Sequence, residues 1–427
     1  MREVLPLINS QMLINIEISL TLLLPMNNNI KEQLQQREYK TLKDKKKIIL
    51  KWATGCGKSK MTIDLVNNAA TRKMCALFVV AERAHIKNWQ EEFTKWNLSD
   101  NVSTEIICYN SLHKAKTQYD IIVFDEAHHM FTEKRMSIIK YLKANYIYLL
   151  SATLSAQKEY DIERVFGKFT VSQVSLKRAI SEDILPDPKV YVIGMELDDT
   201  NYTETIATGS GNNLPVVRWE NRMQYIYKKK PCIIQCTQRQ KYTYITSNME
   251  YWKDRYQRSH NPFMQNKWVN LGSQRKRYLG ELKTDYIRQL IDLFPRRKRF
   301  VCFCASVKQA QELDERNTIS SKRPSDLNQK IIDAFNKKQL HRLYAVGMIT
   351  EGMNLKDIQA GIIVQLDGKE RLFIQKFGRS LRAEDPVTYI FYYKDTQDEV
   401  YLKNALENID EKYIENININ QLKKTVI

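Results

Sequence analysis

Short apolar runs alternating with amphipathic stretches dominate this chain, and their order predicts strands and helices in turn. Ile30 to Lys43 reads as a helix, Lys46 to Trp52 as a strand and Met61 to Ala70 as a second helix. Cys75 to Val80, Thr104 to Tyr109, Tyr119 to Phe124 and Tyr146 to Leu150 are further strand candidates. Uninterrupted apolar strands are those buried on both faces, as in a parallel sheet covered by helices. The second half repeats the pattern. Arg299 to Ala305, Arg342 to Gly347, Gly361 to Gln365 and Val387 to Tyr392 read as strands, with helices at Val307 to Asp314 and Gln329 to Asn336. The expectation is an α/β protein with two doubly wound parallel sheets in tandem.

Ile184-Leu185-Pro186-Asp187-Pro188 is a proline-punctuated connector between the halves, since proline disfavours helix before it and removes a donor. The predicted division is an N-terminal extension over 1–28, a first domain over 29–185, a second over 186–395 and a tail over 396–427. A basic, aromatic helical insertion is expected at about 220–290. The extension alternates with period two from Ile14 to Leu22, a strand pattern, and Glu17 interrupts an apolar stretch too short to span a bilayer. It lacks a small-residue cleavage site, and Met26 is an alternative start.

With 427 residues, the chain exceeds the size at which one core stops growing, in keeping with two domains. Its 67 Lys and Arg against 49 Asp and Glu give a formal charge of +18, suited to a polyanionic partner. The seven cysteines sit mostly in apolar runs and lack zinc-type spacing, which predicts reduced thiols in a cytoplasmic, metal-free core. No membrane association is expected, and the chain is predicted to be a monomer.

Two short strings carry the chemistry. Ala53-Thr54-Gly55-Cys56-Gly57-Lys58-Ser59 joins a predicted strand to a predicted helix, as in a loop whose backbone N–H groups and lysine cradle phosphates while the serine hydroxyl ligates Mg²⁺. Ile121-Ile122-Val123-Phe124 is followed by Asp125, Glu126, Ala127 and His128, so both carboxylates emerge where parallel sheets bind ligands. Together they predict hydrolysis of a nucleoside triphosphate.

Further strings follow in order: Val79 through Arg83 and Ala84 to Trp89, Tyr109-Asn110-Ser111, Ser151-Ala152-Thr153, Phe303 to Ser306, Thr350-Glu351-Gly352-Met353-Asn354, and Gln375-Lys376-Phe377-Gly378-Arg379-Ser380-Leu381-Arg382. As an ordered set, from about Lys31 to Tyr393, they resemble motifs Ia, Ib, III, IV, V and VI of the superfamily 2 helicases and translocases, with the phosphate loop as motif I and the DEAH box as motif II. The resemblance implies two tandem RecA-like P-loop domains with ATP clamped between them. It places Thr54, Gly55, Cys56, Gly57, Lys58 and Ser59 on the nucleotide, with Gly352 and Asn354 nearby, and Ser59 and Asp125 on Mg²⁺. Glu126 polarises the attacking water, and Gln375, Arg379 and Arg382 meet charge developing on the γ-phosphate, as arginine fingers do. His128, Ser151 and Thr153 are implied to couple the ATP site to nucleic acid, and Arg83, Asn110, Ser306 and Thr350 to contact it.

Two positions depart from the family's wording. Related proteins place a glutamine for adenine in a Leu-Arg-x-Tyr-Gln string ahead of motif I. Here Arg37 and Tyr39 are followed by Lys40, so the base is expected to stack on Arg37 and Tyr39 with relaxed discrimination in favour of ATP. Asn354 replaces a common aspartate. Lys241 to Tyr278 interleaves aromatics with cations, which suits either a single strand or packing against the second domain. The motif wording lies nearer DNA repair and restriction-type motors than RNA-dedicated ones, so DNA is the favoured partner.

Overall fold

A computed structural model describes residues 26–221, 230–347, 355–366, 377–378, 383, 385–407 and 409–426. The chain divides into two units, with the changeover at Asp187 and Pro188, inside the predicted connector.

The first unit runs α1 (Met26–Leu42), β1 (Lys47–Trp52), α2 (Lys58–Ala69), β2 (Met74–Val80), α3 (Arg83–Lys95), β3 (Val102–Cys108) and β4 (Ile121–Phe124). It continues with α4 (Glu133–Ile139), β5 (Tyr146–Leu150), α5 (Ala156–Phe166), β6 (Thr170–Val174) and α6 (Leu176–Ser181). Its strands form one six-stranded parallel sheet in the order β3-β2-β4-β5-β1-β6. Ile121 to Phe124 and Ile48 to Leu50 are fully buried, as continuous apolar strands under two helical layers must be. β6 escapes the sequence reading because its two apolar residues, Val171 and Val174, lie three apart and form neither an apolar run nor a period-two pattern. Trp52 donates to the Ser172 hydroxyl, so this edge strand carries a polar face toward β1.

Because every strand points the same way, the loops after β3, β2, β4, β5 and β1 leave one edge of the sheet side by side. These loops bear the Tyr109 string, the Arg83 string, the acidic pair, Ser151 and the phosphate loop. This is where open α/β sheets bind ligands.

The second unit begins with β7 (Lys189–Met195), β8 (Glu204–Ala207), β9 (Val216–Arg218), β10 (Ile233–Cys236), α7 (Gln238–Ser259), α8 (Pro262–Glu281) and α9 (Thr284–Leu293). Next come β11 (Phe300–Phe303), α10 (Val307–Asp314), β12 (Thr318–Ser320), α11 (Ser325–Asn336) and β13 (Arg342–Val346). It ends with β14 (Ala360–Ile363), β15 (Val387–Tyr393), α12 (Gln397–Leu406) and β16 (Ile414–Ile417). Seven strands make a parallel sheet in the order β12-β13-β11-β14-β15-β7-β16. The segment expected to be a tail thus supplies the edge strand β16, in register with β7 from Ile414 opposite Val190 to Ile417 opposite Ile193.

The predicted insertion is helical only in part. A three-stranded sheet, β8-β10-β9, with Cys232, Ile234 and Cys236 in its own small core, precedes a helical hairpin. Thr237 starts α7 with a reciprocal capping box shared with Gln240, and His260 ends it in a left-handed conformation. Asn261 then caps α8, whose first residue is Pro262, so the turn at the hairpin tip is written locally.

At the base of the hairpin Lys283 is fully buried. Its Nζ donates to Asp398 Oδ2 at 2.6 Å, the Val364 carbonyl at 2.8 Å and Gln365 Oε1 at 3.3 Å, while Gln365 donates to the other Asp398 oxygen. Burial pulls the Lys283 ammonium below its ordinary pKa, and Asp398 opposes this. The network ties the helices, the end of β14 and α12 into one core.

Candidate nucleotide site in the first unit

The phosphate loop depends on two glycines in the left-handed region, Gly55 at φ 98° and Gly57 at φ 91°, where side chains are strained. Space forbids them as well. A Cβ on Gly57 would lie 2.0 Å from Gln35 Nε2, and one on Gly55 would lie 3.0 Å from Leu185 Cδ2. The loop therefore curls tightly into the N-terminus of α2, where unsatisfied N–H groups and the helix dipole favour an anion. Lys58 folds back and donates to the Trp52 carbonyl at 2.8 Å. Ser59 follows it in the first turn of α2, and burial pushes the Cys56 thiol up to about 11 against the lowering charges of Lys58 and Lys31.

Gln35 is one of the residues that the sequence reading missed. It is buried on α1, donates from Nε2 to the Cys56 carbonyl at 3.2 Å and accepts from Lys60 at 3.1 Å, bracing the loop from outside. A glutamine beside Leu34 on the apolar side of a predicted helix was the available signal. Tyr39 is not brought to the loop. α1 runs alongside α2, and the Tyr39 hydroxyl donates to Asn68, ten residues along α2 from Lys58 and so about 15 Å further on. Arg37 is exposed, 3.7 Å from Glu38 and 3.9 Å from Glu182. The stacking pair expected for the base is therefore not assembled beside the phosphate loop, because one turn of α1 beyond Gln35 already faces the far end of α2.

Asp125 is the most heavily held side chain of the site. Oδ1 accepts the Glu126 backbone N–H at 3.0 Å, Oδ2 accepts Trp89 Nε1 at 3.0 Å and lies 3.7 Å from His85 Nδ1, and Tyr109 donates to its carbonyl at 2.9 Å. Burial alone would raise its carboxyl pKa. The His85 and Trp89 contacts and the Lys58 charge outweigh burial and hold it below the usual carboxylate range. Burial lowers His85 in turn, but Asp125, Glu126 and Glu82 carry it above its ordinary value. His85 and Trp89 lie one helical turn apart on α3, inside the string read as a nucleic-acid motif. Spacing i,i+4 sets both on one face of that helix, which was legible, but their target was not.

Glu126 adopts φ 47° at the mouth of β4, a strained conformation for a residue with a side chain. His128 is buried behind it, with Nδ1 3.3 Å from Glu126 Oε2 and 3.5 Å from Ser151 Oγ, and Ser151 Oγ accepts the Thr153 N–H at 3.2 Å. The acidic pair and the Ser-Ala-Thr string thus meet through one imidazole. Asn110 accepts from Arg135 at 2.8 Å, and Arg135 also donates to the His129 carbonyl, clipping the Tyr109 loop to the segment after the acidic pair. Arg83 is exposed at the start of α3.

In the second unit Ser306 is buried. It caps α10 by accepting from Gln309 N, and its hydroxyl donates to Glu281 at 2.6 Å, so the hydroxyl assigned to nucleic acid is committed to helix capping. Thr350, Gly352, Asn354, Gln375, Arg379 and Arg382 lie outside the described residues. Among the described residues there is no cluster of three or more His, Cys, Asp or Glu able to hold a metal, and no helix long and apolar enough to cross a membrane.

The residues present fit a magnesium-bound nucleoside triphosphate. The loop leaves no room for a side chain at Gly57, the helix start presents Lys58 and Ser59, and Asp125 is held ionised on a strand two places from β1. Residues 24–111 and 100–156 match the family model described as type III restriction enzyme, res subunit, and residues 282–384 match the helicase conserved C-terminal domain. Dbp5 of S. cerevisiae bound to RNA and ADP BeF3 is similar over 92% of this chain and 92% of its own, at 11% identity and a TM-score of 0.59. The ATP-dependent type ISP restriction-modification enzyme LlaBIII bound to DNA is similar over 92% of this chain and 31% of its own, at 13% identity and a TM-score of 0.54. A fragment of a putative HsdR subunit of a type I restriction enzyme from Vibrio vulnificus matches 92% of this chain and 68% of its own, at 13% identity and a TM-score of 0.51. At these identities the likeness to solved structures is one of fold. No curated protein matches the chain.

Proposed function

The chain belongs to the superfamily 2 helicases and translocases, and from that premise we propose that it hydrolyses ATP to move on, or unwind, nucleic acid, with DNA the favoured track. The observation that carries the proposal is the pairing of a glycine-forced phosphate loop with a carboxylate kept ionised by His85 and Trp89. Lys58 and the amides of Gly55 to Lys58 would hold the β- and γ-phosphates. Ser59 and Asp125 would hold Mg²⁺, which when bound neutralises charge on the phosphate oxygens. Glu126, steadied by His128, orients the attacking water and takes up its proton. Arg379 and Arg382 would supply guanidiniums to the γ-phosphate, and Gln375, Gly352 and Asn354 would add contacts to the nucleotide, as the motif resemblance implies.

His128, Ser151 and Thr153 form the route by which hydrolysis is felt beyond the phosphate site, and Arg83, Asn110 and Thr350 contact the track. ATP is preferred over GTP only modestly, since Lys40 stands where related proteins place the adenine-reading glutamine.

A nucleic-acid-stimulated ATPase assay tests this reading. Lys58→Ala and Glu126→Gln are expected to abolish turnover, and Arg382→Ala to lower kcat by about 10³-fold or more, the worth of an arginine finger. Retained activity in the Glu126→Gln protein would remove Glu126 from its role. An RNA arm separates DNA motors from RNA remodelling, the alternative that the likeness to RNA-bound Dbp5 keeps in view.

A further inference from the structure

The hairpin of α7 and α8 has a distal half left uncovered by the described residues of its unit. From Thr246 to Gln274 no residue is buried, and the last fourteen residues of α7 alone span about 20 Å. Two helices by themselves gain little from burial, yet this stretch holds Tyr251, Trp252, Tyr256, Phe263 and Trp268. Some of these rings close the seam of the hairpin. Tyr256 stacks on Trp268 at 5.9 Å, and Trp252 meets Phe263 edge to face at 6.0 Å. Of the two readings of these aromatics, packing on the second domain holds at the base, where Tyr242 and Tyr244 lie against its cores, whereas the distal rings pack largely on each other.

Tyr251 and Phe263 each touch Trp252, and Tyr251 accepts from Arg255 at 2.5 Å, but both leave much of their surface in solvent. They are 51% and 59% exposed, and Trp252 links them into one strip, its ring 5.4 Å from that of Tyr251. Each carries a cation: Arg255 lies 5.4 Å above the Tyr251 ring and Lys267 5.5 Å above that of Phe263. Exposed aromatic strips of this kind mark interaction surfaces. The charge says with what. Over the uncovered stretch from Thr246 to Gln274, four Lys or Arg (253, 255, 258, 267) stand against two Asp or Glu (250, 254), a net +2 within a chain of +18. One of the two acids, Asp254, is already paired with Arg258 at 2.7 Å.

We infer that the Tyr251–Trp252–Phe263 strip binds a single-stranded polynucleotide, its rings stacking on unpaired bases while Arg255 and Lys267 swing onto the adjoining phosphates. π-faces accept any base and cations any phosphate, so the contact is indifferent to sequence and strongly salt-dependent. The inference deepens the proposed function, on which it rests, by assigning a nucleic-acid contact outside the motif loops.

Fluorescence anisotropy with labelled 20-mers of oligo-dT and oligo-U, run beside nucleic-acid-stimulated ATP turnover, tests it. Replacing Tyr251 and Phe263 together by Ala is expected to weaken binding about tenfold or more, as the loss of two stacking platforms should. Tyr251→Phe with Phe263→Tyr, which keeps both rings, restores it. Arg255→Gln with Lys267→Gln should lower the slope of log affinity against log salt by about 1.4. Should the alanine protein melt early, the glutamine pair, both surface positions, decides the matter. Wild-type affinity and slope in both sets of variants, with turnover still stimulated by oligonucleotide, overturn the inference and leave the proposed function standing. Turnover that ignores oligonucleotide in the wild type overturns the function itself.

Discussion

Asp125 owes its fixed position to residues that lie outside its own motif. A hydrogen bond to an ionised group contributes about 1.5–3 kcal/mol, so the Trp89 indole decides where that carboxylate points, with the His85 imidazole 3.7 Å away as a second, longer-range partner. Trp89→Phe keeps the packing on Phe78 and Phe93 but deletes the bond. The Mg²⁺ concentration for half-maximal ATP turnover should then rise about tenfold or more at little change in melting temperature, as when a group supporting a metal ligand is lost. An unchanged Mg²⁺ titration would relegate Trp89 to packing. Cys56 supplies a second check. With its thiol pushed up to about 11, roughly a thousandth is ionised at pH 8, so alkylation followed by mass spectrometry should label half-buried Cys75 well before Cys56. Early labelling of Cys56 would show the loop to be looser than described. Lys58, Ser59, Asp125 and Glu126 were legible because triphosphate chemistry needs those types in that order. Gln35, His85, Trp89 and Arg135 were not, since their roles arise from contacts between residues distant in sequence.

At the scale of elements, strands buried on both faces declared themselves as apolar runs, and helices with one buried face by their period. Three kinds of element did not. β6, β12 and β16 are short edge strands rich in polar residues, the three-stranded sheet buries too little to leave a pattern, and β7 begins directly after Pro188, where the connector masked it. The hairpin was seen as aromatic and cationic, but which rings pack and which face water required the pairing of its helices. Its base gives an element-level prediction. Asp398→Ala leaves the Lys283 ammonium buried without its partner, which should cost about 3–5 kcal/mol in urea unfolding, whereas breaking the exposed Lys308 to Glu312 pair should cost at most about 0.5 kcal/mol. Equal losses would mean that the buried network does not hold the hairpin to its sheet.

For the whole molecule, the +18 charge, two parallel sheets and the ordered motif set are what the proposal of a motor on a polyanion rests on. Charge alone fits any acidic partner, and the fold alone fits many nucleotide-binding proteins. Their conjunction with Lys58, Asp125 and Glu126 is what directs the proposal to ATP turnover tied to nucleic acid. The most direct test is steady-state ATP hydrolysis measured alone and with single-stranded DNA, duplex, forked DNA and RNA, using Glu126→Gln as the reference. Turnover that rises severalfold with at least one of these nucleic acids, most with DNA, and vanishes in the Glu126→Gln protein is the predicted result. Turnover that is indifferent to all four, or that survives in Glu126→Gln, would contradict the account.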